Sequence, residues 1–389
     1  MPSRDIESAL KRWTQAGLID ASLAERLRAS EATAESSIKW PVLLATIFGS
    51  VTLGAGVLLF VAAHWDELSP GWRFTLVLAL VWLFHAVAGF FVERSPRLNV
   101  ALHAVGTTAL GGGIFLTAQI FNLQEHWPGG IMLWAAGALG AWALLRQWPQ
   151  ALLAALLVPG WLVGEWMVAT EHHMGGEWPV AVGVAVLCVS YLTAVRLQDE
   201  GSLFRQGLKW IGAIALFPSL MCALDSHHEG SYYYIHQSGV PHQLMVAGWT
   251  LSILLPLAFA FLLRKQAAWM NAVAAGWIFV LSLLPAPWRQ ANTDTAALFI
   301  LQSLGPLFWE VLGAVGLIAW GLKESSKGRV NLGIVGFALA VISFYFSELM
   351  DKLGRSTSLI GLGVLLLVGG WLLERTRRRL ILRVQGATA

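Results

Sequence analysis

Charge is scarce in this sequence. Asp, Glu, Lys and Arg make up 13% of its 389 residues, where a water-soluble chain carries about 25%. So few charges cannot coat one or two soluble domains, and that class is excluded. Cysteine is nearly absent: Cys188 and Cys222 both fall inside apolar runs and read as small buried hydrophobes, not as a disulfide framework or a metal cage. No signal peptide is visible, because the first 40 residues are polar and the first apolar run follows them, so sorting is expected to rest on the first span. No P-loop, nucleophile elbow or dinucleotide fingerprint occurs. The Leu-Gly-x-Gly motifs lie within apolar runs, away from any strand-to-helix junction, and are no phosphate cradles.

Apolar residues are abundant instead, at 56% of the chain, with a mean hydropathy of +0.63. A bilayer core of ~30 Å needs about 20 helical residues. Apolar runs near that length predict spans at 42–63, 72–92, 99–121, 130–145, 150–169, 178–196, 207–223, 243–263, 267–284, 300–322, 329–347 and 358–374. The fold class is therefore all-α: a polytopic transmembrane bundle of about twelve spans, with 130–145 short enough to be tilted or re-entrant. Basic residues collect on the cytoplasmic side of membranes. With both termini cytoplasmic, every Lys and Arg except Arg73, Arg289, Lys352 and Arg355 falls inside. Of twenty tryptophans, many lie near span ends as interfacial anchors, among them Trp40, Trp65, Trp72, Trp127, Trp148, Trp178, Trp249, Trp288 and Trp371.

Three segments follow. Residues 1–37 read as a cytosolic amphipathic helical hairpin. Ile6, Ala9, Leu10 and Trp13 have helical spacing, Gly17 stands at a C-cap, and Ser22 with Glu25 form a capping box. Such a pair is too small to stand alone, and it is a candidate surface for a cytosolic protein partner. Residues 38–380 form the transmembrane domain, and 381–389 a short cytosolic tail. The basic run from Glu374 is explained by topology and anionic lipid, so the partner of the chain is the lipid bilayer and not nucleic acid. Oligomeric state and cofactor are left unassigned.

The first and third spans carry similar glycine patterns. "GSVTLGAGVLL" aligns with "GTTALGGGIFL", pairing Gly49, Gly54 and Gly56 with Gly106, Gly111 and Gly113. Small residues let helix backbones approach in lipid, so the plain expectation is tight packing. The sharper one is a broken helix lining a substrate path.

The N-terminal "WTQAGLID", the stretch "LGAGVLLFVAAHWDELSPGWR" and "GTTALGGGIFLTAQIFNL" together resemble bacterial membrane proteins of the domain-of-unknown-function 2157 family. The tail from "GLKESSKGRVNLGIVGF" to "LLERTRRR" is similar to the family numbered 4401. The resemblance implies bacterial origin and residence in the inner membrane. It supplies no catalytic or binding residues to carry over.

Ionisable groups inside a membrane are costly and are functional candidates by default. Glu310, in mid-span, is the foremost. A neutral Glu hydrogen-bonded to a neighbouring helix is its plain reading, and a proton or cation relay the functional one. Glu165 lies nearer the outer face, where it can reach water. His85 and His103 lie toward the cytoplasmic ends of adjacent, oppositely directed spans, which places them at similar depth. They read as two neutral imidazoles or as a proton-linked pair. Thr107 shares the face of His103. Gln119 and Asn122 close the third span.

Eight of ten histidines fall on the expected outer side. His172, His173, His227 and His228, with Asp225 and Glu229, are weak metal-ligand candidates, since no fixed metal spacing accompanies them. The favoured function is transporter-like movement of a small solute or ion through a glycine-rich bundle. A non-catalytic sensor or scaffold acting through residues 1–37 is the first alternative. A membrane enzyme with an outer His/carboxylate metal site is the second, and enzymatic activity is the less favoured reading.

Overall fold

A computed structural model describes residues 10, 12–27, 67–121, 126–195, 202–226, 239–284, 296–346 and most of 360–375, with side chains of the 296–346 stretch described from Leu304 onward. The chain divides into two compact units, Met1–Val77 and Leu78–Ala389.

In the first unit, residues 12–15 and 21–27 are helical. Gly17, at φ +69°, ends the first segment, and the Leu18 N–H donates back to the Trp13 carbonyl at 3.0 Å. The second segment is capped by Asp20, not by Ser22 as the capping-box pattern suggests. Leu23 N–H donates to Asp20 Oδ1 at 2.6 Å, and Ser22 itself donates to the same oxygen at 3.0 Å. These bonds hold the Asp20 carboxyl below its ordinary range, led by the Leu23 N–H. An aspartate one residue before the helix satisfies an orphan N–H better than a serine already inside it.

The described elements are α1 (Pro70–Phe90), α2 (Pro96–Ile120), α3 (Trp127–Leu145), α4 (Trp148–Thr170), α5 (Glu177–Leu192), α6 (Leu203–Ser226), α7 (His242–Arg264), α8 (Trp269–Ser282), α9 (Ala296–Lys323) and α10 (Lys327–Phe344). Helices α2, α3 and α4 each begin with proline at the first or second position, where its missing N–H costs nothing. The segment expected to be short, 130–145, is a full 19-residue helix.

Eight helical runs among the described residues are long and apolar enough to cross a membrane. One of them, His242–Ser282, has 41 residues, about 62 Å if straight, or twice a bilayer core. It is not straight. Lys265, at φ 52° and ψ −126°, breaks it. Trp178 at the start of α5 meets Trp249 of α7 and donates to Ser282 of α8 at 2.9 Å. Thr193, just past the end of α5, meets Arg264 of α7 and Asn271 of α8. Helix α7 therefore runs parallel to α5, and α8 returns antiparallel.

The expected count of twelve is not reproduced helix for helix. The 42–63 span lies outside the described residues. The 178–196 and 267–284 spans appear as helices of 16 and 14 residues, shorter than an upright crossing needs.

The packing has the polarity lipid demands. Large apolar side chains such as Trp82, Leu144, Ile214, Leu262 and Phe308 are exposed, while Asn99, His103, Gln150, Ser190, Asn271, Arg264 and Arg329 are buried. Without water outside, polar groups find partners inside the bundle. Helix α5 is its centre. Val182, Ala185, Val186, Val189 and Leu192 pack on Leu216, Leu220 and Leu224 of α6 and on Ile278 and Leu281 of α8. A Cβ at Gly212 of α6 would stand 2.4 Å from both Cys188 O and Leu192 N, so only glycine permits this approach. Cys188 is buried as read from the sequence; Cys222 is exposed.

Candidate intramembrane polar site

Helix α2 turns one polar stripe inward. Asn99, His103 and Thr107 recur every four residues and are all buried. His85 of α1 reaches this stripe. Its Nδ1 stands 2.8 Å from Nδ1 of His103, with ring centroids 5.1 Å apart. Gly106 makes room: a Cβ there would lie 2.8 Å from His85 Nε2. Helix α2 runs unbroken through Gly106, Gly111 and Gly113, so the interrupted-helix expectation does not hold for this copy of the glycine pattern. Gly111 instead receives the indole of Trp134 from α3, whose Nε1 donates to Thr107 O at 2.9 Å. The matching Gly49, Gly54 and Gly56 lie outside the described residues.

The stripe continues toward the start of α2. Asn99 donates to the Ala88 carbonyl at 2.9 Å and accepts from Gln147 Nε2 at 2.8 Å. Gln150, in the first turn of α4, is fully buried. Both of its amide atoms, and Gln147 Oε1, lack a protein hydrogen-bond partner. Buried amides of this kind are sites for ordered water.

Two nitrogens 2.8 Å apart cannot both carry a hydrogen between them. One imidazole donates and the other accepts. The pair thus keeps its hydrogen bond when neutral or when it holds one additional proton, and loses it when both rings are doubly protonated.

Glu310, on α9, lines a different space. A cavity of about 630 Å³ opens among α6, α8, α9 and α10, walled by Phe217, Trp277, Leu281, Gly313 and Ser343. Glu310 is half-buried, and its Oε1 is buried without a hydrogen-bond partner. The neighbouring-helix bond of the plain reading is not made by that oxygen. The imidazole pair contacts α1 and α2, so the structure does not join Glu310 to it. Glu165 is tied at the far end of α4: His126 Nε2 lies 2.6 Å from Oε2, and Trp161 Nε1 donates to Oε1 at 2.8 Å. Gln119 is exposed in the last turn of α2.

The described outer histidines do not assemble into one cluster. His172 meets only its neighbour Glu171, at 3.0 Å, and His173 Nδ1 is buried without a partner. Asp225 is half-buried at the end of α6. Asn122, His227, His228 and Glu229 lie outside the described residues. Among the described residues no group of three or more His, Cys, Asp or Glu side chains is placed to hold a metal ion.

One polar cluster escaped sequence reasoning. Arg264 and Arg329, both buried, flank the carboxylate of Glu324. Arg264 Nη2 donates to Oε1, Arg329 Nη2 to Oε2 at 2.7 Å, and Trp320 Nε1 to Oε1 at 2.7 Å. Burial alone would raise the Glu324 carboxyl; the charge of Arg329, the Trp320 bond and the charge of Arg264 outweigh it and hold it below the ordinary range. Arg264 also donates to Thr193 O at 2.8 Å, and Arg205 to Ala194 O and Leu263 O. These are orphan carbonyls at the ends of α5 and α7. Each residue sits at a helix end, where sequence counts it only as a topology marker. The available signal was the lone acid Glu324 set among Lys323, Lys327 and Arg329.

Long lipid-facing helices that bury polar groups between them define a polytopic membrane protein. Residues 11–151 match the family described as "Predicted membrane protein (DUF2157)", a little over a third of the chain, and that segment contains the whole His85–His103–Asn99–Gln147 stripe. No curated protein and no solved structure matches. That match ends at residue 151, and the expected similarity of the tail to family 4401 is not shown.

Proposed function

We propose that the protein is a transporter-like bundle of a bacterial inner membrane, with both termini cytoplasmic, which moves a small solute or ion in exchange for protons bound at the His85–His103 pair. The observation that carries this reading is the 2.8 Å contact between the two Nδ1 atoms. A hydrogen bond between two imidazoles on separate helices couples protonation to helix contact. The amides of Asn99, Gln147 and Gln150 extend the polar route toward the end of the bundle. Glu310 is a second proton- or cation-binding position, in its own cavity.

Proteoliposomes with entrapped pH dye and a valinomycin-clamped potential test this. Wild-type protein should admit protons faster than empty vesicles, and His85→Gln with His103→Gln should return the rate to the empty level while the protein still elutes as a folded particle. A wild-type rate equal to empty vesicles, or an undiminished rate in the double variant, removes the proposal.

A second reading is favoured by the N-terminal segment, where Trp13, Leu18, Leu23 and Leu27 are exposed. A cytosolic partner would cover them. Deleting 1–37 should then erase function and leave the bundle folded; retained function after the deletion rules the partner role out.

A further inference from the structure

A trough of about 950 Å³ runs along the bundle between α4 and α7, with α5 as its floor. It is lined from Trp148 to Ala169 of α4, about 32 Å of helix, which equals the depth of a bilayer core. Prolines open it. Pro159 in α4 and Pro256 in α7 both line the trough, and each deprives the carbonyl four residues earlier of its helical N–H. The floor repairs the first gap and closes on the second. Tyr191 of α5 donates its hydroxyl to Ala155 O. Gly183 of α5 lies so close to Ser252 that a Cβ would sit 2.9 Å from the Ser252 carbonyl oxygen. The walls are thus held apart by a built feature of three helices.

Two charged residues line this trough, one at each end: Arg146 and Glu165. Glu165 is engaged by His126 and Trp161. Arg146, exposed at the left-handed end of α3 with φ 54°, makes no hydrogen bond or ion pair to another described residue. Trp142 and Trp148 flank it, as side chains at headgroup depth do. The polarity is therefore set. A free guanidinium stands at one mouth, a satisfied carboxylate at the other, and apolar wall between.

We infer that the trough is a binding site for an anionic phospholipid, its phosphate on Arg146 and its acyl chains along α4 and α7. A guanidinium forks onto phosphate oxygens, and the carboxylate at the other mouth repels a headgroup entering from that leaflet.

Native mass spectrometry of the full chain, titrated with phosphatidylglycerol or phosphatidylcholine of identical chains, tests the inference. Wild-type protein should retain one phosphatidylglycerol about tenfold more tightly than phosphatidylcholine, the scale of one charge-assisted bond. Arg146→Gln should erase that preference, and Leu162→Trp with Leu255→Trp should weaken both lipids by filling the trough from exposed positions. Equal wild-type retention of the two lipids overturns the site, as does a preference unchanged in Arg146→Gln. A lipid-free dimer that the tryptophan pair splits also overturns it, because the trough would then seat a second copy of the chain.

Discussion

Tyr191 of α5 donates its hydroxyl to the carbonyl oxygen of Ala155 in α4, the atom that Pro159 leaves without a helical donor. A kink in one helix is thus completed by a side chain of another. Removing the hydroxyl strands a buried acceptor, which costs about 1–3 kcal/mol.

Tyr191→Phe should accordingly lower the thermal midpoint in detergent. In a Pro159→Ala background the helix supplies its own N–H to Ala155 O, so the same substitution should cost much less. Equal losses in the two backgrounds would show that the hydroxyl serves some other acceptor.

Gly212→Ala should destabilise by about 1–3 kcal/mol, because its Cβ would meet two backbone atoms of α5 that cannot rotate away. Gly140→Ala and Gly276→Ala, with open space around the added methyl, should be neutral or slightly stabilising through helix propensity. Scanning calorimetry of the three variants, compared in one detergent, checks the ranking.

Glu324→Gln should leave Arg264 and Arg329 buried without their shared anion. The loss falls toward the lower end of about 3–5 kcal/mol, since 24% of the Glu324 side chain is exposed. The sign with pH follows from its depressed carboxyl. Its contribution is complete above the ordinary value of 4.5, and it disappears as pH falls through the lower folded value. Wild-type stability should therefore drop in acid below about pH 4.5 more steeply than that of Glu324→Gln. Parallel acid profiles for the two proteins would refute the assignment.

The aligned positions of His85 and His103 show how far sequence carried the site. Opposite helix directions placed both near one end; nothing in the sequence stated that the rings touch or that Gly106 makes space for them. The amide route through Gln147 and Gln150 was invisible, because a glutamine at a helix start reads as an interfacial residue. Arg264 and Arg329 were legible as charges of a given side, yet their meeting on Glu324 depends on α7 and α9 ending together. Asp20 outcompeted Ser22 as a cap because it stands one residue outside the helix.

By itself the sequence determined that lipid is the solvent, that the chain is helical, and roughly where most helices begin and end. Those properties depend on composition and on apolar runs matched to bilayer thickness, and both are local. Only the tertiary structure decided which polar groups meet, where α7 turns back into α8, and that α4 and α7 stand apart over α5. Each of these depends on side chains far apart in sequence arriving at one depth, and no window along the chain encodes that.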